Sequence, residues 1–324
     1  MRRFPMAVLL STALFSASAF GQQAVTRTYS FTHVENFQEL QQMTGLLRTL
    51  TSINQITMDS ARLSTTMGGT AEQIGITDWL FRQLDQPPQG PAPLTYNVSV
   101  DDVVELMYLP STLTVQEFQE VANCIRTVVE IPLAFGLNSQ RALAIRAPAA
   151  QVVLAAKLVS DLTQAPPTAS IRVYPSSAGA DDVTQVYFLT HTESIQDFQE
   201  TANAVRTITE IRRIVADNAP RAIVARGTAA QLAMATWLLH DLDQPQTAPA
   251  AHSYYGPTPE ETIRVFYLPA ALGTVREFQN AATKIRTAAQ LRRAVALNTQ
   301  RAFVVRGTIS EVSRVNQMVQ DLKQ

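Results

Sequence analysis

The chain contains one cysteine and four histidines in 324 residues. A lone cysteine cannot close an internal disulfide. The HExxH, CxxC and GxSxG patterns are missing, and no carboxylate pair stands at a metal-ligand spacing. Lysine is nearly as scarce, since 23 of the 26 basic residues are arginine, and the net charge is −1. That balance gives no global attraction for nucleic acid or anionic lipid. Past the N-terminal segment no apolar run reaches the ~18 residues of a transmembrane helix. These absences argue against an enzyme, a bound cofactor or metal, a nucleic-acid partner and a membrane-spanning mature chain.

The N-terminal segment has the three parts of a secretory signal peptide. Arg2 and Arg3 precede an apolar run from Met6 to Phe15, and small residues then offer cleavage at Ala17-Ser18-Ala19 or Ala19-Phe20-Gly21. A signal peptide over residues 1–21 predicts a mature chain in a bacterial periplasm, either associated with the outer membrane or released. The full chain, 46% hydrophobic and 16% charged, has the composition of an ordinary folded protein.

What the chain does have is repetition. Arg-Thr at 126–127 returns at 206–207 and 286–287, a step of 80 each time, and at 48–49, a step of 78. Leu40, Phe118, Phe198 and Phe278 share one column, as do Leu84, Leu162, Leu242 and Leu322. The spacing predicts modules at about 26–86, 103–164, 183–244 and 262–324. Module 1 is the divergent copy, with Leu63 and Gly68 where the others carry arginine. Pro- and Ala-rich stretches at 87–102, 165–182 and 245–261 read as semi-stiff linkers.

Within module 3, Thr184–Leu189 is β-prone, and apolar residues from Ile195 to Ile211 then recur every three or four positions, as on one helix face. A short strand, the turn Asp217-Asn-Ala-Pro220 and a second strand, Ala222–Ala225, follow. Gly227-Thr228 opens a final helix with Thr228 as N-cap. The expected fold is α+β: four tandem β-α-β-β-α modules, each a three-stranded sheet with two helices on one face. Alternation in the last strand points Leu143 and Ile145, Ile223 and Ala225, and Phe303 and Val305 at the helices. Ala142 and Ala144, Ala222 and Val224, and Ala302 and Val304 then line an open face on which a neighbouring module or a partner can sit. In module 4 that strip is expected to lie uncovered unless a partner takes it.

Arg141, Arg146, Arg221, Arg226, Arg301 and Arg306 bracket these strands. They fit two roles, as carboxylate clamps between modules or toward a partner and as charges that discourage edge-to-edge pairing. Arg48, Arg126, Arg206 and Arg286 fall late in the first helix, where a cation suits the dipole. Tyr96, Tyr174 and Tyr254 recur in phase within the linkers and are expected to dock on the adjoining module. His33 and His191 share a turn; a zinc site with Glu35 or Glu193 is the less favoured reading, a solvated turn the more favoured.

Module 3, from Val215-Ala-Asp-Asn-Ala-Pro-Arg-Ala-Ile-Val-Ala-Arg-Gly-Thr228 through Leu242-Asp-Gln-Pro245, resembles the repeated N-terminal periplasmic domains of secretins, the outer-membrane ring subunits of type II and type III secretion and type IV pilus systems. Module 4 repeats the pattern from Leu297 to Thr308 and at Asp321-Leu322. Arginine stands before the last strand where that family usually has Asn, and the β-rich pore segment is not found in the sequence. The resemblance implies the ring-building fold without the pore, protein partners such as a secretin or secretion component, and a capacity for self-association. The fold also resembles the KH architecture, but no module has the GXXG loop that clamps nucleic acid. Two functions remain: a structural, assembly or adaptor component of a secretion or pilus-like envelope complex, or a free periplasmic or secreted protein whose repeats bind a ligand such as an envelope polymer.

Overall fold

A computed structural model describes residues 24–87, 90, 92–164, 171–175, 182–244, 252–256, 261–269 and 272–322. Residues 1–21, expected from the sequence to be a signal peptide, and parts of each linker lie outside the described residues.

The pattern β-α-β-β-α occurs four times. Module 1 holds β1 (Val25–Ser30), α1 (Phe37–Thr51), β2 (Gln55–Asp59), β3 (Ser64–Gly69) and α2 (Ala71–Leu84). Module 2 is preceded by β4 (Leu94–Asn97) and runs through β5 (Val103–Tyr108), α3 (Val115–Cys124), β6 (Leu133–Leu137), β7 (Ala142–Ala147) and α4 (Ala149–Thr163). A π-helical turn, Ile125–Val129, extends α3. Module 3 has β8 (Ile171–Tyr174), β9 (Val183–Phe188), α5 (Ile195–Thr209), β10 (Arg213–Asp217), β11 (Ala222–Gly227) and α6 (Ala229–Leu242). Module 4 has β12 (Ser253–Tyr255), β13 (Thr262–Tyr267), α7 (Val275–Ala288), β14 (Arg293–Leu297), β15 (Ala302–Gly307) and α8 (Ile309–Asp321).

Local chemistry explains where the helices start. Thr228 accepts from the Gln231 amide while the Gln231 side chain bonds back to the Thr228 amide, and Thr70, Thr114, Thr274 and Thr308 make the same reciprocal box with the residue three positions on. The first helix of modules 1 to 3 ends on a left-handed residue, Ser52, Glu130 or Glu210, and Gln290 takes that conformation just beyond α7.

In each sheet the last strand is central and all pairings are antiparallel. Modules 2 to 4 depart from the expected three strands. The linker strands β4, β8 and β12 pair with β5, β9 and β13, which makes four-stranded sheets, whereas the module 1 sheet has three. The proline-rich flanks hide these short strands in the sequence, because composition averages over a window longer than the strand itself.

The strand alternation holds residue by residue. Leu143 and Ile145 join the core of their own module, while Ala142 and Ala144 join the cluster formed by α1 and α2 of module 1. Ala222 and Val224 pack into module 2 in the same way, and Ala302 and Val304 into module 3. The helix pair of each module therefore covers the open sheet face of the next one. Ala302 and Val304 are fully buried. The expectation of an uncovered strip in module 4 is thus corrected, because the preceding module fills it. Three of the four apolar clusters draw on two neighbouring modules, so each small module borrows burial that it is too small to supply alone.

The divergence of module 1 follows from this stacking. No described module precedes it, and its outer sheet face is polar: Thr26, Thr28 and Ser30 are exposed where module 2 has the buried Val104, Leu106 and Tyr108. Thr28 and Thr66 satisfy each other across that face at 2.8 Å.

Candidate functional site at the module seams

The two arginine families of the last strand do different work. Arg141, Arg221 and Arg301 have φ between 51° and 53°, a left-handed backbone conformation that costs a non-glycine residue roughly 1 kcal/mol or more. Their side chains turn back into their own module. Arg141 donates through Nε to the Leu113 carbonyl at 2.9 Å and also to that of Asn138. Arg301 donates to the carbonyls of Leu272, Gly273 and Thr274. Arg221 and Arg301 stand over the rings of Phe198 and Phe278. These contacts offset the backbone cost and lock the loop before the first helix of the module.

Arg146, Arg226 and Arg306 reach across the seams. Arg306 Nη1 donates to the Ile208 carbonyl at 2.8 Å, in the last turn of α5, and Nη2 meets Glu261 at 2.7 Å. Arg226 reaches the Val128 carbonyl at 3.4 Å and Arg146 that of Leu50 at 3.2 Å. Each is a cation placed on the carbonyl end of the preceding module's first helix. Module 1 has no described helix end before it to cap, and Gly68 stands in that column.

The carboxylates that complete these clamps carried no sequence signal that was read. Glu130 and Glu210 sit at helix C-terminal ends, where a negative charge alone is unfavourable. Arg213 holds Glu130 at 2.7 Å and Arg293 holds Glu210 at 2.7 Å, each from the following module. Asp102, Asp182 and Glu261 supply the second acid, at 2.5 Å from Arg146, 3.0 Å from Arg226 and 2.7 Å from Arg306. The signal available was an acid column and an arginine column that recur at the same step of 80, Glu130 with Glu210 and Arg226 with Arg306, each acid 96 residues before its arginine.

A second polar device recurs at the other edge of each seam. Glu120 on α3 accepts from the Asn218 amide at 2.9 Å and its side chain at 2.8 Å. Glu200 on α5 accepts from Asn298 and from the Thr299 amide. Gln300 bridges to Asp197 and to the Leu242 carbonyl, and Gln140 reaches the Leu84 carbonyl. Replacing Arg306 by alanine removes a buried cation from the Ile208 carbonyl and from Glu210 and Glu261, which are 51% and 38% exposed and keep Arg293 beside them, a loss on the order of 1–2 kcal/mol. The variant should lower the melting temperature, and Arg306→Lys should recover only part of it, because an ammonium cannot span the carbonyl and both acids. Equal melting of wild type and alanine variant would show that the clamp adds nothing.

Seam 2/3 carries a buried acid where the other two have leucine. Leu137 and Leu297 fill one column at their seams, and Asp217 occupies it here, buried, with neither oxygen in hydrogen-bonding geometry. Burial first, then the charge of nearby Glu120, pushes its carboxyl up to about 7, against a smaller pull downward from the Ala219 amide. Cys124 lies beside it, fully buried, and burial pushes its thiol well up, which leaves it an unreactive packing residue.

The linker tyrosines face backward. Tyr96 packs on Trp79 of α2 and Tyr254 on Trp237 of α6, with ring centroids 5.6 Å apart in both pairs. Tyr174 packs against the apolar cluster to which the corresponding helix α4 belongs. Each linker strand is thus bonded to the sheet of its own module and laid against a helix of the previous one. His33 and His191 belong to turns held by their backbones: the amides of Thr32 and His33 bond to Asp85, and those of Thr190 and His191 to Asp243. Among the late-helix arginines, Arg126 and Arg206 donate to the Ala134 and Ile214 carbonyls of the following strand. Among the described residues no group of three or more His, Cys, Asp or Glu side chains is placed to hold a metal, and no helix is long and apolar enough to cross a membrane.

The chain is similar to solved secretin structures. The N-terminal domain of the secretin XcpQ from Pseudomonas aeruginosa matches at 13% identity over 48% of this chain and 71% of that one, with a TM-score of 0.19. Aeromonas hydrophila ExeD matches at 16% identity over 76% of this chain and 44% of its own, with a TM-score of 0.16. The type II secretion system secretin GspD of E. coli K12 matches at 13% identity over 76% and 42%, with a TM-score of 0.16. This chain therefore spans less than half the length of ExeD and GspD. No protein-family profile matches, and no curated protein matches.

Proposed function

We propose that the protein is a non-enzymatic structural or assembly component of a secretion or pilus-like envelope complex, acting in the periplasm through protein–protein contacts. One observation carries the reading: a set of side chains that recurs from module to module, Arg146, Arg226 and Arg306 among them, is used to stack modules on one another. A repeated fold whose arginines, acids and tyrosines serve the seams is built to hold a geometry, and it presents that geometry to other proteins. The secretin-like order of turn, strand, Gly-Thr and closing Leu-Asp in modules 3 and 4 supplies the class of complex. The sheet-face residues Ala302 and Val304 are occupied by module 3, so partners meet helix surfaces and edges instead.

Crosslinking in the envelope followed by capture and mass spectrometry tests this reading. Secretin or other secretion-system proteins should be recovered with the wild-type chain. Recovery of peptidoglycan or polysaccharide alone, with no envelope protein enriched, would favour the ligand-binding alternative and overturn the proposal.

A further inference from the structure

The seam contacts define, column by column, which residues of one module face which residues of the next. Cys124 on α3 lies against Asp217, and Leu46 and Ala204, its equivalents, share clusters with Leu137 and Leu297. Asp197 at the start of α5 bonds Gln300. Glu200 bonds Asn298. Glu210 meets Arg293.

The two outward faces of the described stack carry charges at these same columns. On α7 of module 4, Lys284 occupies the column of Cys124 and Ala204, and it is exposed. Glu277 occupies the column of Asp197, and Asn280 that of Glu200. Between α7 and α8 these residues rim a groove of about 400 Å³ floored by Leu272, Ala281, Ile285, Met318 and Leu322. On the hairpin of module 1, Asp59 occupies the column of Leu137, Asp217 and Leu297, and Arg62 that of Gln140 and Gln300. Both are solvent-facing, the Arg62 side chain 84% exposed and that of Asp59 44%; they lie 3.9 Å from each other, an exposed i,i+3 contact that each exchanges for its partner across the joint. The exchange has a sign: the base Lys284 matches the acid Asp59, and the acid Glu277 matches the base Arg62. Ser60 stands opposite Asn280, and Gln55 opposite Gln290, in the column where Arg293 meets Glu210.

We infer that the helix face of module 4 docks the module 1 hairpin of a second copy of this chain, so that molecules join head to tail through Lys284–Asp59 and Glu277–Arg62 pairs. The occupant is a second copy because the module 1 hairpin carries the complementary charges in register with the geometry of the internal seams. The contact is heterologous, so it builds a ring where the rotation between copies closes and an open chain where it does not. It differs from the internal seams in strength. The threonine face of module 1 contributes little apolar burial, and Gly68 with Gln290 replaces the arginine–glutamate clamp, so the association is reversible and governed by exposed charge, which salt screens.

Sedimentation velocity on the chain from residue 22 onward, over a concentration series, is the test. At about 20 mM NaCl the weight-average sedimentation coefficient should rise with concentration, and it should return to the monomer value at about 0.5 M NaCl, where the Debye length is only a few ångströms. Lys284→Glu and Arg62→Glu, both at exposed positions, should each hold the monomer value at low salt with unchanged melting curves. A mixture of Lys284→Glu with Asp59→Lys should associate again, because the swapped charges match, although each alone does not. A wild type that stays monomeric at low salt, variants that associate as well as wild type, or a mixture that fails to associate would each overturn the inference.

Discussion

Glutamate at position 302 should unfold module 4 from the stack. Ala302 on β15 is fully buried against module 3, in an apolar cluster with Val304 and Leu297 where a new carboxylate meets hydrocarbon. An unpaired buried charge costs on the order of 3–5 kcal/mol, which is a large fraction of what a module of this size can hold in reserve. Calorimetry should show an early transition for module 4 with modules 1 to 3 melting near their usual temperature, and proteolysis should cut first after residue 244. Ala302→Ser, which adds one hydroxyl and no charge, should be far milder. A glutamate variant that melts as a single transition at the wild-type temperature would mean that the seam opens at little cost, contrary to the burial seen.

Replacing Asp217 by leucine should stabilise the protein, and by an amount that depends on pH. The site already holds leucine at the equivalent points of the other two seams, Leu137 and Leu297. The Asp217 carboxyl is raised from 3.8 to about 7 in the folded chain, so the native state binds its proton more tightly than the unfolded state does. Its contribution is therefore most favourable below pH ~4 and is lost as pH rises through about 7. A shift of that size corresponds to roughly 4 kcal/mol between the two limits. The gain in melting temperature of Asp217→Leu over wild type should accordingly be several degrees at pH 8 and much smaller at pH 4. A gain that is flat across this range would show that Asp217 stays ionised at little cost in the seam.

Much of this architecture is legible in the residues. The column of Leu40, Phe118, Phe198 and Phe278 identifies a repeated core, and threonine three positions before Gln or Glu marks where helices begin. Period-two alternation assigns Leu143 and Ile145 to one side and Ala142 and Ala144 to the other, because side chains on a strand must alternate whatever surrounds it. These are local consequences of backbone geometry, and a sequence carries them without help. The linker strands were harder to see. Three or four β-prone residues between prolines have no signal of their own, and they become strands only because the edge of an existing sheet supplies their hydrogen bonds.

Which surface covers which was beyond the sequence. The small residues of the last strand call for a close neighbour but do not name it, and only packing shows that the neighbour is the preceding module. The same packing separates two arginine families that look alike in sequence, since Arg141 turns into its own loop and Arg146 caps a helix 96 residues away. It also explains why Gly68 and the threonine face belong to module 1, which has no described helix end to cap and an outer face turned to water. Asp217 reads as an ordinary turn residue until α3 closes over it. The chemistry within a module was thus determined by the sequence, because it depends on neighbours a few residues apart. The chemistry between modules was decided by the tertiary structure alone, because residues roughly a hundred positions apart meet only when whole modules dock.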